Sequence, residues 1–304
     1  MSNIIGLLDL GRSALMTSQK ALQTTGHNIA NVNTPGYTRQ RVNLAANPPL
    51  QQTSPGQMGT GVTAVEVARI YDRFISGQIL AEQQTLGRWQ ARQESLQNAE
   101  LSFDIQEGTG IDAALGDFWA GWQDLANKPG GHTERVALLS LADGLAQTFR
   151  RVDADLRQQQ KNLDAAIDDA VVRVNNTIRQ LSELNGQIAE VEAGGQNAND
   201  LRDRRDLLLK DLTELIDVRT FEDGQGRVAV RLTDGRPLLD GSTVWQLSTA
   251  PDADGHSRIH WSDSGGGVDV TDRIRSGKLG GWLEVRDVEL ADYLGRIDTL
   301  AVSL

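Results

Sequence analysis

Apolar residues seven positions apart recur in three stretches of the chain. Near the start, Leu8, Leu15, Leu22 and Ile29 form one row, and Leu7, Ala14 and Ala21 form a second beside it. Ser18, Gln19, Lys20, Gln23 and Thr24 fill the other faces. This predicts a helix over Ser2 to Asn31 with a narrow apolar stripe, of the kind that seeks a partner helix. The alternative is an ordinary amphipathic helix docked on its own domain.

The central stretch is the most regular. Phe149, Leu156, Leu163 and Ala170 keep the spacing, and Ile167, Val174, Leu181 and Ile188 keep it on an overlapping seam. With Thr133 as N-cap and Gly194-Gly195 as breaker, about 60 residues at 1.5 Å each predict a rod of roughly 90 Å. Single glycines at Gly144 and Gly186 weaken that helix locally. From Leu279 the period returns through Leu283, Leu290, Ile297 and Leu304, and the sequence stops inside it. That stop predicts a C-terminally truncated product or a fragment.

Between these stretches the pattern changes. Pro35-Gly36, Pro48-Pro49, Pro55-Gly56 and Gly59-Thr60-Gly61 punctuate short extended pieces such as Arg41 to Leu44 and Val62 to Val65. A helix follows from about Asp72 to Leu101, with Phe74, Ile75, Ile79, Leu86, Trp89 and Leu96 as candidate buried positions. After a break at Gly108-Thr109-Gly110, Ile111 to Asn127 reads as a helix with Leu115, Phe118, Trp119, Trp122 and Leu125 on its apolar side. Asn199 is expected to cap a shorter helix carrying Leu201, Leu208, Leu209, Leu212 and Leu215. Beyond Ile216, strands are predicted at 218–221, 227–232, 243–247, 257–261 and 268–270. Asp223-Gly224, Asp234-Gly235 and Asp240-Gly241 serve as turns.

The expected fold is α+β and predominantly α. It is an elongated, coiled-coil-like bundle of long helices with a small β-rich outer module and an N-terminal assembly helix. The divisions are an assembly helix with its motif at 1–35 and a turn segment plus helical rod at 36–216. A β-rich module follows at 217–278, and a helix returning to the rod at 279–304.

Composition narrows the function. The 304 residues are 39 % apolar and 23 % charged, enough to build a sizeable core. A net charge of −11 opposes nucleic acid and anionic membrane. There is no cysteine, which excludes disulfides, thiolate metal sites and cysteine nucleophiles. No apolar run spans a membrane and no cleavable signal peptide is visible, so an extracellular role needs another export route.

Catalytic chemistry has little support. His256 and His260 share a face of a predicted strand but stand about 13 Å apart, too far for one metal. Asp252-Ala253-Asp254-Gly255 lacks the further ligands of a calcium loop and reads as a solvated turn. Ser264 to Gly267 is a flexible loop without the Lys-Ser or Lys-Thr of a P-loop. Asp203, Arg204, Arg205, Asp206 and Lys210 are spaced as exposed ion pairs along a helix, a solvated or interface face. No catalytic, metal-binding or cofactor-binding residues are assigned, and a non-enzymatic protein is expected.

The informative run is Gly26 to Val42. Asn28, Asn31 and Asn33 bond readily to nearby backbone, Thr34-Pro35-Gly36 forces the chain out of the helix, and Tyr37 follows the turn. The string Ala30-Asn31-Val32-Asn33-Thr34-Pro35-Gly36-Tyr37 resembles the ANxNTxGY motif of the flagellar axial family, the rod, hook and hook-associated proteins of bacteria. Its extension through Thr38, Arg39 and Gln40 is similar to the hook-associated branch found where hook meets filament. Gly59 to Val62, Arg69 to Phe74, Asn127 to Pro129 with Arg135, Leu184 to Ile188, and Asn199 to Asp206 carry the likeness to about Ala250.

The resemblance implies a structural subunit of the hook–filament junction, exported unfolded by the flagellar type III apparatus without a cleaved signal and assembled outside the cell. Ile4, Leu8, Leu15, Leu22 and Ile29 would form its assembly interface. Implied partners are further copies in a ring or tube, the hook protein, a second junction protein and the export apparatus. The family's export chaperone holds the C-terminal region, which leaves its binding to this chain open. A hook or distal-rod protein of the same family is the alternative, and a flagellum-associated hydrolase the remote one.

Overall fold

The computed structural model describes residues 2–51, 57–103, 110–224, 226–263 and 266–304. The expected Pro55-Gly56 turn, the break at Gly108-Thr109 and the start of the Ser264 loop lie outside them.

Helix α1 (Ser2–Ala30) leads through a turn into β1 (Gln40–Ala46), which pairs antiparallel with β4 (Val62–Arg69). Short strands β2 (Leu50–Gln51) and β3 (Gln57–Met58) pair at the tip of this hairpin. Helix α2 (Arg73–Ser102) follows, capped by Asp72, whose carboxylate accepts from the amides of Phe74 and Ile75. Then come α3 (Ile111–Asn127) and the 62-residue α4 (His132–Ala193). The caps differ from those expected: α4 starts from Gly131 and α5 (Asn199–Leu215) from Ala198, so Thr133 and Asn199 lie in first turns.

Helix α4 is the spine. All eight seam residues named above are buried, and Gly144 and Gly186 leave it unbroken. Its C-terminal half packs against α5 and two antiparallel sheets. One is β5 (Val218–Glu222), β6 (Val228–Leu232), β7 (Pro237–Asp240) and β8 (Thr243–Val244). The other is β9 (Gln246–Pro251), β10 (Ser257–Asp263) and β11 (Gly266–Asp269). Strand β7 carried no sequence signal because it opens on proline, and Trp245 separates β8 from β9 in what reads as one strand. Gly266 and Gly267 pair with Asp263 and Ser262 as strand rather than loop. The N-terminal half of α4 packs against α2, α3 and α7 (Leu290–Ser303).

Between α6 (Gly277–Glu284) and α7 one π turn, Val285–Glu289, inserts the fully buried Arg286. Its guanidinium donates to Asp164 of α4 at 2.6 Å and to the Ser257 carbonyl at 2.8 Å, while Gln160 donates to its carbonyl. The second sheet is thereby tied to the spine. His256, in the turn before β10, contributes a 3.3 Å contact to Asp164 and does not share a strand face with His260.

Helix α2 corrects the sequence reading. Phe74, Ile75, Ile79, Leu86 and Trp89 are exposed, and Leu96 only partly buried. The buried row is Gly87, Ala91, Ser95 and Ala99. A Cβ on Gly87 would collide with the Glu214 carbonyl, and one on Gly281 of α6 with that of Arg88. Backbones approach so closely here that only small residues fit, which inverts the faces that hydrophobicity assigns. Trp119 and Trp122 of α3 are likewise exposed, because α3 seats Gly121 between Leu138 and Leu141 of α4.

Candidate assembly interface

Helix α1 sorts its residues in an unusual way. Ile4, Leu8, Leu15, Leu22 and Ile29 are 68–74 % exposed. The opposite, small and polar face docks on the hairpin. Ser13 donates to the Val62 carbonyl at 2.9 Å, Thr17 does so at 3.3 Å, and Thr17 is buried. Helix α1 is therefore docked on its own domain while its apolar stripe stays free.

The motif residues build the corner where α1 meets the rod. Asn28 is its hub. Its Oδ1 accepts from the Tyr37 hydroxyl at 2.7 Å and the Gln40 amide at 2.9 Å, while its Nδ2 donates to the Gln40 carbonyl at 2.9 Å. Asn31 donates to the His27 carbonyl and accepts from the Thr34 hydroxyl, closing the helix end. The Tyr37 ring meets His27 edge to face at 5.5 Å. Partial burial, with the Asp200 and Asp203 carboxylates behind it, holds the Tyr37 pKa above its usual value. Gly36 has φ +79°, a conformation that strains any side chain, and packs closely on Leu207. Among the described residues, the side chains of Asn33 and Arg39 take no hydrogen bond in this network.

The corner is pinned to α5 by a carboxylate that sequence reasoning placed on a solvated face. Asp203 and Arg205 are buried. Asp203 accepts from the Thr38 amide at 2.9 Å, the Thr38 hydroxyl at 2.6 Å and Arg69 at 2.7 Å. Arg69 also donates to Asp206 at 2.8 Å and covers the Tyr71 ring. Arg205 donates to the Gly226 carbonyl. The Asp203 and Asp206 pairs with Arg69 run across elements, so the surface reading of this run is corrected at Asp203, Arg205 and Asp206, whereas Arg204 and Lys210 are exposed as expected. Burial lifts the Asp206 carboxyl above the ordinary range, with the pull of Arg69 opposing it. Around this node Gln40 donates to Asp200, Asn199 to the Val67 carbonyl, and Asn197 to Glu66 and the Val67 carbonyl.

The corner orients α1. It fixes the departure angle of a 29-residue helix whose apolar stripe is free. Among the described residues no three His, Asp or Glu side chains are grouped to hold a metal, and no helix is long and apolar enough to cross a membrane. Asp252 accepts amides of its own turn, from Asp254 and His256.

Residues 96–304 match the model of the flagellar hook-associated protein FlgK helical domain, and residues 8–38 match that of the flagella basal body rod protein. Flagellar hook-associated protein 1 of Bacillus subtilis is 35 % identical over 239 residues, covering 77 % of this chain and 47 % of that protein. Its counterpart from Salmonella typhimurium is 30 % identical, covering 98 % of this chain and 54 % of that protein. The chain spans about half the length of these curated relatives. The solved structure of the flagellar hook junction protein FlgK from Burkholderia pseudomallei superposes with a TM-score of 0.60 at 25 % identity, over 69 % of this chain and 39 % of that one.

Proposed function

This chain belongs to the flagellar hook-associated protein FlgK family, and from that membership we propose that it is a structural subunit of the hook–filament junction. The observation that carries the reading is the free stripe of Ile4, Leu8, Leu15, Leu22 and Ile29 on a helix held at a fixed angle by the Asn28–Asp203 corner. Five large apolar residues along one face of a docked helix mark an interaction surface. In the junction they bury against terminal helices of neighbouring copies and of the hook. The motif residues Asn28, Asn31, Thr34, Gly36, Tyr37, Thr38 and Gln40 set the angle between that inner layer and the rod built on α4. Partners are further copies in a ring or tube, the hook protein, a second junction protein and, on the way out, the flagellar export apparatus. The chain then works outside the cell, by adaptor mechanics.

Co-sedimentation with isolated hook tubes stripped of their junction ring tests this. The chain is expected to pellet with the tubes, and a version lacking residues 1–40 to stay in solution. Equal pelleting of both, or of neither, contradicts the reading.

A further inference from the structure

The β-rich module joins the rod through a neck of two chain segments. The chain leaves α5 at Ile216 and Asp217 to enter β5, and it returns through Arg275 and Ser276 into α6. The two segments touch backbone to backbone. Gly277 has φ +69°, and a Cβ there would stand 2.6 Å from backbone atoms of Leu215 and Ile216.

One side chain bridges the neck. Asp217 of the outgoing segment is buried, and its Oδ2 accepts from the Arg275 amide of the returning segment at 3.2 Å. Thr233, in the turn between β6 and β7, donates to the same oxygen at 3.5 Å. The other oxygen, Oδ1, is buried and accepts no hydrogen bond among the described residues.

The charged groups of the surrounding elements are committed elsewhere or face solvent. Lys278 of α6 pairs with Glu214 of α5 at 2.6 Å, and Arg88 of α2 with Glu284 at 2.9 Å. Arg236 pairs with Asp234 in the β6–β7 turn, and Asp272, just before α6, with Arg258. Arg219, Arg273 and Arg275 are exposed, and the Arg275 guanidinium donates to the Asp272 carbonyl. Among the described residues none of these side chains pairs with Asp217. A buried carboxyl without a counter-ion favours its neutral form, and burial pushes this one up to about 6. Once ionised, it holds a charge that water can solvate only when the neck segments part.

We propose that Asp217 is a proton-operated clasp on the neck of the β-rich module. Protonated, it holds the outgoing and returning segments together. Ionised, it lets them separate locally. The sheets stay on the spine during this opening. Asn175 and Asn185 of α4 each bond both the amide and the carbonyl of one residue in the sheets, Leu247 and Val228. The clasp goes beyond the junction reading and does not rest on it.

Hydrogen exchange on the whole chain, corrected for the intrinsic rate at each pH, tests this. Protection of the amides at 275–280 should fall about tenfold between pH ~5 and ~8. That is the ratio for a carboxyl titrating at about 6 in the closed neck and at 3.8 once released. Throughout, it should stay below the protection of Ile178 and Leu181 in α4, because the neck opens without global unfolding. Asp217→Asn should flatten the dependence. Thr233→Lys, at an exposed position, supplies the missing cation beside the carboxylate and should keep protection at pH ~8 close to its acid value. Neck protection indifferent to pH overturns the proposal, as does a dependence that survives Asp217→Asn. So do a Thr233→Lys chain as pH-dependent as the parent, and neck amides that exchange only together with the α4 core. If Asp217→Asn fails to fold, the Thr233→Lys comparison decides.

Discussion

Helices α4 and α1 carry the same sevenfold apolar spacing and meet opposite fates. In α4 the seam residues Ile167, Val174 and Leu181 are 0 % exposed, covered by α5 and by strands more than 30 residues later in sequence. In α1, Leu8, Leu15 and Leu22 are exposed while Ser13 and Thr17 face the protein. A heptad states that a helix needs a partner along one stripe. It does not say whether the partner lies in the same molecule. In α1 the docking contacts are hydroxyls on the Val62 carbonyl, and the apolar stripe takes no part in them; the reading proposed above gives that stripe to another chain.

The same substitution in both helices separates them most sharply. Leu181→Asp buries an unpaired carboxylate at a position 0 % exposed, and should cost more than ~4 kcal/mol, enough to abolish the cooperative unfolding transition. Breaking the corner that joins the two regions comes next. Asp203→Ala leaves the buried Arg69 with Asp206 alone and frees Thr38, an expected loss of about 3 kcal/mol by chemical denaturation, as three hydrogen bonds to a charged carboxylate are removed. Hydrogen exchange should rise in 28–40 and at the start of α5, while the α4 core stays protected.

A milder test lies where α5 runs into β5. Asp217 is 5 % exposed, and burial pushes its carboxyl up to about 6, although it accepts from the Arg275 amide. Its folded pKa exceeds the unfolded 3.8, so the folded state holds the proton more tightly. Its contribution to stability is greatest below pH ~4 and is lost as pH rises through about 6. Asp217→Asn should therefore raise stability at neutral pH by about 2 kcal/mol and flatten the profile between pH ~4 and ~7, read from unfolding midpoints.

The regular parts of the fold were legible because periodicity reports them directly: α4, α1, the extent of α3 and α2 though not their buried faces, and most strands of the β-rich module. Helix α2 was misread because its buried row is Gly87, Ala91, Ser95 and Ala99, small residues that hydrophobicity ranks low. Close backbone approach needs small side chains, and no local pattern announces it. The corner was half legible. Asn28, Tyr37 and Gln40 stand in one dense polar string and do bond one another. Their anchor, Asp203, lies 165 residues from Thr38 in sequence, and its spacing from Arg204, Arg205 and Asp206 imitates a surface helix. Burial, which decides between the two readings, is a property of the assembled fold.

Leu15→Asp tests the central claim, that the α1 stripe serves another chain, most directly. Leu15 is 74 % exposed, so its loss should move stability by no more than about 0.5 kcal/mol, a midpoint shift within roughly 2 °C. Thermal unfolding and binding to hook tubes would be measured on one preparation of this variant. The account predicts an unchanged midpoint with binding lost. A lowered midpoint with binding intact would contradict it.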